Sequence, residues 1–511
     1  MLFRGPLERF GRPVLCARGG PAYNHRPMPR REPTRTKIVV TVGPSCRSRA
    51  VVERIIEHGV DVVRFNLSHG DHQQHNEALR TVREVAGRRG AFVATMADLC
   101  GPKVRTGVVN PNHAALTPGS TCVIVPEPVV GTAERFSTNY PGLVAEVEVG
   151  HRVLIDDGQI HLRVLEKRAG ELACACEAGG TLGSGKGINV PDSNLSLPAL
   201  SEKDHDDLGW AIENGLDYVA LSFVRKPEDL EQLRSRLREA RADIPIIAKM
   251  ETPQAIGALD AIIASADAVL VARGDLGVEM DVWRIPMLQK RIVHQCRRMG
   301  KPAIIATQML QSMVDHRTPT RAEVTDVANS VLDGADAVML SAETAVGSYP
   351  VEAVRMLGLI TGEAEASRVD GADESRPGFL DERMRVGHAV DKTTAAVARS
   401  AALVAHDVGA RLIAVWCQSG RTARWISKYQ LPQILVGLSA SDVMCRRLAL
   451  SYGVEPMAVS PEFAAGTGPV DELQRRLAER HGLEKGDIFI VVGDPTARKR
   501  RSTLSIHVVG D

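Results

Sequence analysis

Short apolar runs alternate with segments of helical periodicity through the first two thirds of the chain. Eight of these runs predict β-strands, and they read TKIVVTVG, VDVVRFNLSH, AFVATMADL, YVALSF, PIIAKM, AVLVAR, PAIIATQM and AVML. Most of the segments between them predict helices, at residues 47–58, 72–88, 227–240, 252–264, 284–299 and 321–332. Strands that alternate with helices pair in parallel. Eight such units predict an α/β fold, a (β/α)8 TIM barrel whose active site lies at the carboxyl ends of the strands.

One long connection interrupts this alternation. Between the third and fourth predicted strands, residues 107–197 are rich in valine and glycine and contain strand-like stretches such as GHRVLIDDGQIHLRVLEK. This pattern predicts an inserted β domain at the rim of the active site, where a long excursion is usually a lid or a binding device. The predicted barrel therefore comprises residues 36–106 and 198–366.

The two ends of the chain differ from the barrel pattern. After residue 366 the polar stretch RVDGADESRPGFLDER predicts a linker, and residues 383–511 then alternate a helix (386–406) with the strands LIAVWC, ILVGLS, DIFIVVG and LSIHVV. We therefore expect a C-terminal open α/β domain. In residues 1–35 arginine alternates with glycine and proline without an apolar period. We expect a disordered extension or a mistaken start upstream of Met28, with a targeting peptide as a further alternative.

Composition narrows the classes of function. The chain has 511 residues, 44% of them hydrophobic, and a formal net charge of +1, which provides no overall field to attract nucleic acid. Its apolar runs are far shorter than the roughly 20 residues that cross a bilayer. Nine cysteines without a C-x-x-C pair favour reduced thiols. We therefore expect a cytoplasmic protein with neither nucleic-acid nor membrane partners.

Charged side chains follow the predicted strands. In AKMET, Lys249 and Glu251 are two residues apart, so both project to the same side of a strand. A structural ion pair is the alternative for these two residues alone. In VARGDLGVE, Asp275 follows the next strand, and Glu251 with Asp275 offers oxygen ligands for Mg²⁺ or Mn²⁺. The turn at Gly274 frees backbone N–H groups to face an anion. This spacing indicates a metal-assisted barrel enzyme.

Longer motifs carry a more specific resemblance. RFNLSHG, GPKVRTG, AKMET, VARGDLGVE, ATQML and PTRAEVTDVAN occur in this order, and the chain resembles the pyruvate kinase family from TKIVVTVGPS almost to its C-terminus. The resemblance implies phosphoryl transfer from phosphoenolpyruvate to ADP, giving pyruvate and ATP in the last step of glycolysis. It is closest to the bacterial branch that AMP or sugar monophosphates activate and that does not require K⁺.

The resemblance also implies roles for individual residues. Glu251 and Asp275 would hold Mg²⁺, Lys249 would stabilise the transferring phosphoryl group, and Arg64 would bind its phosphate. Gly274, Asp275 and Thr307 would bind the substrate carboxylate, and Thr307 would assist protonation of the enolate through water. The implied ADP contacts are Pro44, Asn66, His69, Arg105, Asp157 and Lys186.

The motif DLCGPKVRTG departs from the K⁺-dependent pattern DTKGPEIRTG. The K⁺ ligands of many relatives correspond here to Asn66, Ser68, Asp98 and Leu99. Lys103 replaces a glutamate, and its ammonium could substitute for K⁺, because a unit charge about 4 Å from a partner contributes on the order of 4 kcal/mol at a dielectric of 20. We therefore predict a vestigial K⁺ site and turnover without K⁺. The alternative is a lid-hinge lysine that faces solvent.

Two further features follow from the resemblance. QSGRTARW would bind an activator phosphate through Ser419, Gly420, Arg421 and Thr422. A simple N-cap is the alternative, and the basic run at residues 498–501 could add phosphate contacts. Family members are usually homotetramers. Two other functions stay open: a Mg²⁺-dependent aldolase or lyase that forms a pyruvate enolate on a related barrel, and an inactive effector-binding homologue.

Overall fold

The computed structural model describes residues 34–168, 170–370, 389–460, 470–493 and 503–510. The extension predicted over residues 1–35 lies outside the described residues up to position 33, as do most of the predicted linker and the basic run at 498–501. No helix among the described residues has the length and apolar character needed to span a bilayer.

Eight parallel strands close into a barrel, which confirms the predicted fold. The first strand pairs with both the second and the eighth, so the ring is complete. All of their residues except Asn66 are buried, as expected for strands covered on both faces. The strands are Lys37–Thr41, Val62–Asn66, Ala94–Leu99, Tyr218–Leu221, Ile246–Met250, Ala268–Ala272, Ala303–Ala306 and Ala337–Leu340.

Amphipathic helices surround the barrel. Several begin at residues whose side chains cap the first turn: Asp71 accepts a hydrogen bond from the Gln74 amide at 2.8 Å, and Ser201 and Asp204 form a capping box. The helix predicted over residues 252–264 is divided in two at Ala258. The helices are Arg49–Glu57, His72–Arg88, Glu202–Glu213, Pro227–Glu239, Pro253–Gly257, Leu259–Ser265, Arg273–Glu279, Ile285–Arg298, Arg321–Asp333, Ala342–Ala345 and Pro350–Asp370.

The insertion after the third barrel strand folds as two β-sheets around one apolar core. Its six-stranded sheet is antiparallel except for one edge pair. Where the insertion returns to the barrel, the Ile188 amide donates to the Val104 carbonyl at 2.8 Å, so its last strand pairs with its own root. The strands are Ala115–Leu116, Thr121–Val125, Arg135–Ser137, Arg152–Ile155, Ile160–Arg168, Glu171–Ala178, Gly180–Thr181 and Ile188–Asn189.

The C-terminal region is an open five-stranded sheet flanked by helices, which confirms the predicted α/β domain. One strand, Val454–Ala458, was not predicted from the sequence and lies at the edge of the sheet. The last strand is antiparallel to its neighbour. The strands are Leu412–Trp416, Ile434–Ser439, Val454–Ala458, Ile488–Val492 and Leu504–Val508, and the helices are Ala389–Asp407, Arg421–Ser427, Asp442–Leu448 and Val470–His481.

Candidate active site

Lys249 lies at the centre of a charge cluster at the carboxyl ends of the barrel strands. Its Nζ is 2.9 Å from Glu251 Oε1, 3.3 Å from Asp98 Oδ1 and 2.7 Å from Ser222 Oγ. The side chain is buried. Burial alone would lower the pKa of Lys249, but the charges of Asp98 and Glu251 outweigh it and raise the pKa above its usual value. Lys249 is therefore a fixed cation in the barrel mouth.

Arg64 supplies the second buried cation of this cluster. Its Nε donates to Asp98 Oδ2 at 2.7 Å and its Nη1 donates to Thr41 Oγ1 at 3.0 Å. Burial would raise the pKa of Asp98, but Lys249 and Arg64 outweigh this effect and hold the pKa below its ordinary value. Within the described part of the chain, Nη2 of Arg64 makes no hydrogen bond. This nitrogen is available to an anionic ligand.

Glu251 and Asp275 form the candidate pair of metal ligands. Glu251 Oε2 accepts a hydrogen bond of 2.7 Å from the amide of Phe223, whose φ is 54°. Burial, followed by the charge of nearby Asp275, raises the pKa of Glu251 despite Lys249. The Asp275 carboxylate makes no hydrogen bond or ion pair among the described residues. Two adjacent carboxylates, one of them unpaired, fit a divalent cation that would offset their repulsion.

The donor set also fits magnesium in number. No group of three or more His, Cys, Asp or Glu side chains able to hold a metal occurs in the ranges that the structure describes. Mg²⁺ commonly takes only one or two protein carboxylates and keeps water or substrate oxygens in its other positions. Glu251 and Asp275 would provide the protein ligands, and manganese would accept the same oxygens.

Thr307 follows the seventh strand in a left-handed conformation, with φ of 68°. Its Oγ1 accepts the Gly274 amide at 2.7 Å and donates to the Ala306 carbonyl at 2.6 Å. Arg273 Nη2 holds the Thr307 carbonyl at 2.8 Å, and its Nη1 pairs with Asp326. A strained backbone of this kind, costing about 1–3 kcal/mol, is typical of functional sites. Thr307 and the Gly274–Asp275 turn are thus in direct contact.

Two of the predicted nucleotide residues, Asn66 and His69, lie at and just beyond the end of the second strand. Asn66 Oδ1 accepts the Ser68 amide at 3.2 Å, and the His69 side chain is exposed. Two residues that were not predicted support this loop: Lys203 donates to the Leu67 carbonyl at 2.7 Å, and His75 Nε2 lies 2.9 Å from the His69 carbonyl. Pro44 is also exposed and makes no hydrogen bond in the described part of the chain.

The predicted nucleotide residues of the insertion lie near its root. Arg105 Nη1 donates to the Gly185 carbonyl at 2.9 Å. Lys186 Nζ is 3.0 Å from Asp156 Oδ1, whereas the side chain of the predicted residue, Asp157, is 74% exposed. Asp156 was not predicted. The Lys186 side chain is 44% exposed, so a phosphate could compete with Asp156 for its ammonium.

Lys103 makes different contacts from those that a K⁺ substitute would suggest. Its Nζ lies 3.9 Å from Asp157 Oδ1 and 6.0 Å from the centre of the Phe223 ring. Among the described residues it makes no hydrogen bond or ion pair with Asn66, Ser68, Asp98 or Leu99. Asp98 is instead neutralised by Lys249 and Arg64, and the Leu99 carbonyl accepts from Ser222 Oγ at 2.7 Å.

The predicted effector loop precedes the short helix Arg421–Ser427. Gly420, with φ of 68°, is the N-cap, so no side chain caps this helix. Ser419 and Arg421 are exposed and Thr422 is half-buried. Neither hydroxyl makes a hydrogen bond within the described part of the chain. In the N-cap alternative, one of these hydroxyls would accept a hydrogen bond from a backbone amide in the first turn of the helix. Neither hydroxyl does so among the described residues.

Two further side chains at or near the candidate site were not predicted from the sequence. Ser222 binds Lys249 and directly follows the strand Tyr218–Leu221, so its place at a strand end was a usable signal. Glu279 accepts a 2.5 Å hydrogen bond from Asn189 of the insertion. Burial, together with the charge of Asp275, raises the pKa of Glu279 to about 7, although the Asn189 hydrogen bond opposes this. No local pattern predicts a contact between positions this far apart.

The lysine–carboxylate cluster lies at the carboxyl ends of the strands of a (β/α)8 barrel, which is where enzymes of this fold class have their active sites. Two family models match the chain: "Pyruvate kinase, barrel domain" over residues 33–354 and "Pyruvate kinase, alpha/beta domain" over residues 395–509. The chain belongs to the pyruvate kinase family.

Individual relatives agree with the family models. A pyruvate kinase of Corynebacterium efficiens is 37% identical over 479 residues, which cover 93% of this chain and 98% of the relative. One of Mycobacterium tuberculosis is 38% identical over 478 residues, with the same coverage. The crystal structure of a pyruvate kinase from Cryptosporidium parvum superposes with a TM-score of 0.86 at 34% identity, covering 93% of this chain and 96% of that one.

Proposed function

We propose that the protein transfers the phosphoryl group of phosphoenolpyruvate to ADP in a magnesium-dependent reaction, giving pyruvate and ATP. The observation that carries this proposal is the buried Lys249, held between Asp98 and Glu251 beside the unpaired carboxylate of Asp275. Phosphoryl transfer depends mainly on positioning and charge neutralisation, because charge spreads over the equatorial oxygens of a loose transition state. A fixed ammonium next to two metal-binding carboxylates provides both the positioning and the charge neutralisation.

Each residue of the cluster has a role in the proposal. Lys249 stabilises the phosphoryl group in transit, and Arg64 binds the phosphate through its unused Nη2. The substrate carboxylate accepts hydrogen bonds from the backbone N–H groups of Gly274 and Asp275. It thereby replaces the Thr307 hydroxyl as the acceptor of the Gly274 amide. Thr307 then orients the water that protonates the enolate. Glu251 and Asp275 would hold the divalent ion, which would supply Lewis acidity to the enolate.

The proposed nucleotide site combines barrel and insertion. Pro44, Asn66, His69 and Arg105 contact ADP from the barrel side, and Asp157 and Lys186 contact it from the lid. Closure of the lid would bring Lys186 from Asp156 onto the phosphates and exclude water, which strengthens every electrostatic contact in the site. The exposed side chains of Asp157 and Lys186 support this role, because both are accessible to a ligand.

We further propose that turnover does not require K⁺. Asp98 is the carboxylate among the four predicted K⁺ ligands, and Lys249 and Arg64 already pair with it. Lys103 adds a third cation at the hinge of the lid, next to Asp157. A monovalent cation entering this region would be repelled by fixed charge, so Asn66, Ser68, Asp98 and Leu99 would form at most a weak site.

Regulation, assembly and localisation are also proposals. The unused hydroxyls of Ser419 and Thr422 and the exposed Arg421 support binding of a phosphorylated activator such as AMP or a sugar phosphate. Val282, Trp283 and Met287 are 69%, 75% and 67% exposed, which supports burial of this apolar surface in a homotetramer. The free cysteines among the described residues support a cytoplasmic location.

The decisive experiment is a coupled assay of ATP formation from phosphoenolpyruvate and ADP with Mg²⁺. Phosphoryl transfer predicts stoichiometric ATP and pyruvate. An aldolase or lyase would form pyruvate from a larger 2-oxo acid without ADP, and an effector-binding homologue would form neither product. Titration of AMP, ribose 5-phosphate and fructose 1,6-bisphosphate in the same assay would identify the activator, and no response to any of them would remove the effector site.

A further inference from the structure

Glu279 connects the metal-ligand helix to the lid. It is the last residue of the helix Arg273–Glu279, which carries Asp275 in its first turn. Its Oε1 accepts a hydrogen bond of 2.5 Å from Nδ2 of Asn189, the last residue of the final strand of the insertion. Both side chains are half-buried. Among the described residues, Asn189 is the one residue that forms a hydrogen bond with the Glu279 side chain.

Asn189 lies where the lid joins the barrel. Its strand pairs with the lid strand Arg152–Ile155, with Asn189 opposite Leu154. The preceding residue, Ile188, donates its amide to Val104 at the root of the insertion. A hydrogen bond to Asn189 therefore acts on the segment where the lid joins the barrel.

A second segment of the lid lies close to the same helix. A Cβ atom built on Gly158 would lie 3.6 Å from Cγ1 of Val278, so the lid turn that carries Asp156 and Asp157 passes near Val278. The helix has seven residues and is roughly 10 Å long, so its two ends are close together. Its carboxyl end contacts the lid through Glu279 and lies near the lid turn at Val278, while its amino end carries Gly274 and Asp275.

We propose that Glu279 is a positioning residue: through Asn189 it fixes the angle of the lid over the metal-ligand helix, so that lid closure and the orientation of Asp275 are coupled. This inference rests on the proposed function, because it assigns Glu279 a role in the same phosphoryl transfer. A misplacement of about 1 Å in a reacting group can cost on the order of a hundredfold in rate, so a contact that sets this angle affects catalysis without touching substrate.

Kinetics of paired variants test the coupling. We expect Glu279→Ala and Asn189→Ala each to lower kcat/KM for ADP by about tenfold, and the double variant to be no worse than either one, because both remove one shared interaction. Glu279→Gln retains an acceptor for Asn189 and should stay within about twofold of the parent enzyme. Additive losses, or a Gln variant as impaired as the Ala variant, would overturn the proposal.

A matched control exists on a neighbouring element. Gln254 Nε2 also bonds the lid base, to the Ser193 carbonyl and Asn194 Oδ1, both at 3.2 Å, but it lies on the helix Pro253–Gly257 and not on the helix of Asp275. We expect Gln254→Ala to change kcat/KM for ADP by less than about twofold. A loss equal to that of Glu279→Ala would show that any contact at the lid base has this effect, and would contradict a specific role.

Hydrogen exchange separates failure of this inference from failure of the proposed function. In the Glu279→Ala and Asn189→Ala proteins, amides of residues 104–106 and 186–189 should exchange about fivefold faster than in the parent, while Gln254→Ala leaves them unchanged. This readout does not depend on turnover. Unchanged exchange in variants of an active enzyme would overturn the coupling alone. Faster exchange in variants of a protein that forms no ATP would support the structural role of the Glu279–Asn189 contact and refute the kinase reaction.

Discussion

The two ends of the barrel both contain buried charge, but they satisfy it differently. At the floor, where the strands begin, four aspartates precede the second, fourth, sixth and eighth strands, and each accepts the backbone amide of a residue in the preceding strand. The four bonds run from Ile38 to Asp61, from Thr95 to Asp217, from Ile246 to Asp267 and from Ala303 to Asp336, with lengths of 2.8–2.9 Å.

Each floor aspartate also has a cation beside it. The pairs are Lys37 with Asp61, Arg446 with Asp217, Arg234 with Asp267, and Lys428 with Asp336. Arg446 and Lys428 come from the C-terminal domain, so two of the pairs also attach that domain to the barrel. The floor charges are therefore satisfied by the chain itself.

The mouth retains charge that the chain does not satisfy. Asp98 is neutralised by Lys249 and Arg64, but Asp275 has no partner among the described residues, and its charge adds to the effect of burial in raising the pKa of Glu251. Asp275 is half-buried, and holding its unpaired carboxylate close to the buried Glu251 costs free energy, which supports the proposal that a ligand completes this pair. The floor network is satisfied within the chain, whereas the mouth network is the one that we propose binds the metal and the substrate.

The largest effect should follow from removing charge at the mouth. We expect Asp275→Asn to lower kcat by about a thousandfold, because it removes a metal ligand and the field that the metal provides. The thermal unfolding midpoint should remain unchanged or rise, since the substitution relieves repulsion of Glu251. Steady-state kinetics and a thermal melt measure the two quantities. A marked fall in the unfolding midpoint would show that charge at the mouth stabilises the fold as much as charge at the floor does.

Removing charge at the floor should affect stability instead. Lys428→Met leaves Asp336 buried without its cation, so we expect the free energy of unfolding to fall by about 3 kcal/mol while kcat stays within about threefold of the parent. Arg234→Met is the matched control, because the Arg234–Asp267 side chains are 30% and 39% exposed and should contribute less than about 1 kcal/mol. Equal losses in thermal stability would contradict the role of burial.

The smallest expected effect concerns monovalent cations. Because Asp98 already has two cationic partners, as each floor aspartate has its own, omitting K⁺ and NH₄⁺ should change turnover by less than about twofold. The measurement is kcat in a tetramethylammonium buffer with and without added KCl. A drop of a hundredfold or more without K⁺ would show that the mouth needs an external monovalent ion.

The alternating pattern was sufficient to predict the barrel, the insertion and the C-terminal domain. It failed for the edge strand Val454–Ala458, because Glu455 and Pro456 interrupt the apolar run, and proline is tolerated in edge strands, where an amide need not pair. The floor aspartates did leave a signal, since an aspartate stands two residues before a valine at the start of each even-numbered strand. This repeat was not used.

Site residues were predictable where position on a strand determines direction. Lys249 lies in the fifth strand, Glu251 directly follows it, and Asp275 follows the sixth strand, which pairs with the fifth in parallel, so the three residues lie at the same end of the barrel. The choice between Asp156 and Asp157 for Lys186 was not predictable, because it depends on a turn in which both residues have positive φ, 55° and 53°. The Glu279–Asn189 contact spans 90 positions and depends on how the lid packs on the barrel.

The central claim is that Glu251 and Asp275 together hold the divalent ion beside Lys249. A crystal structure with Mn²⁺ and oxalate, a planar analogue of the enolate, tests this claim most directly. The account predicts an anomalous peak at coordination distance from carboxylate oxygens of both residues, with oxalate completing the ion's shell and Lys249 next to it. Manganese bound elsewhere, or ligated by neither carboxylate, would contradict the account.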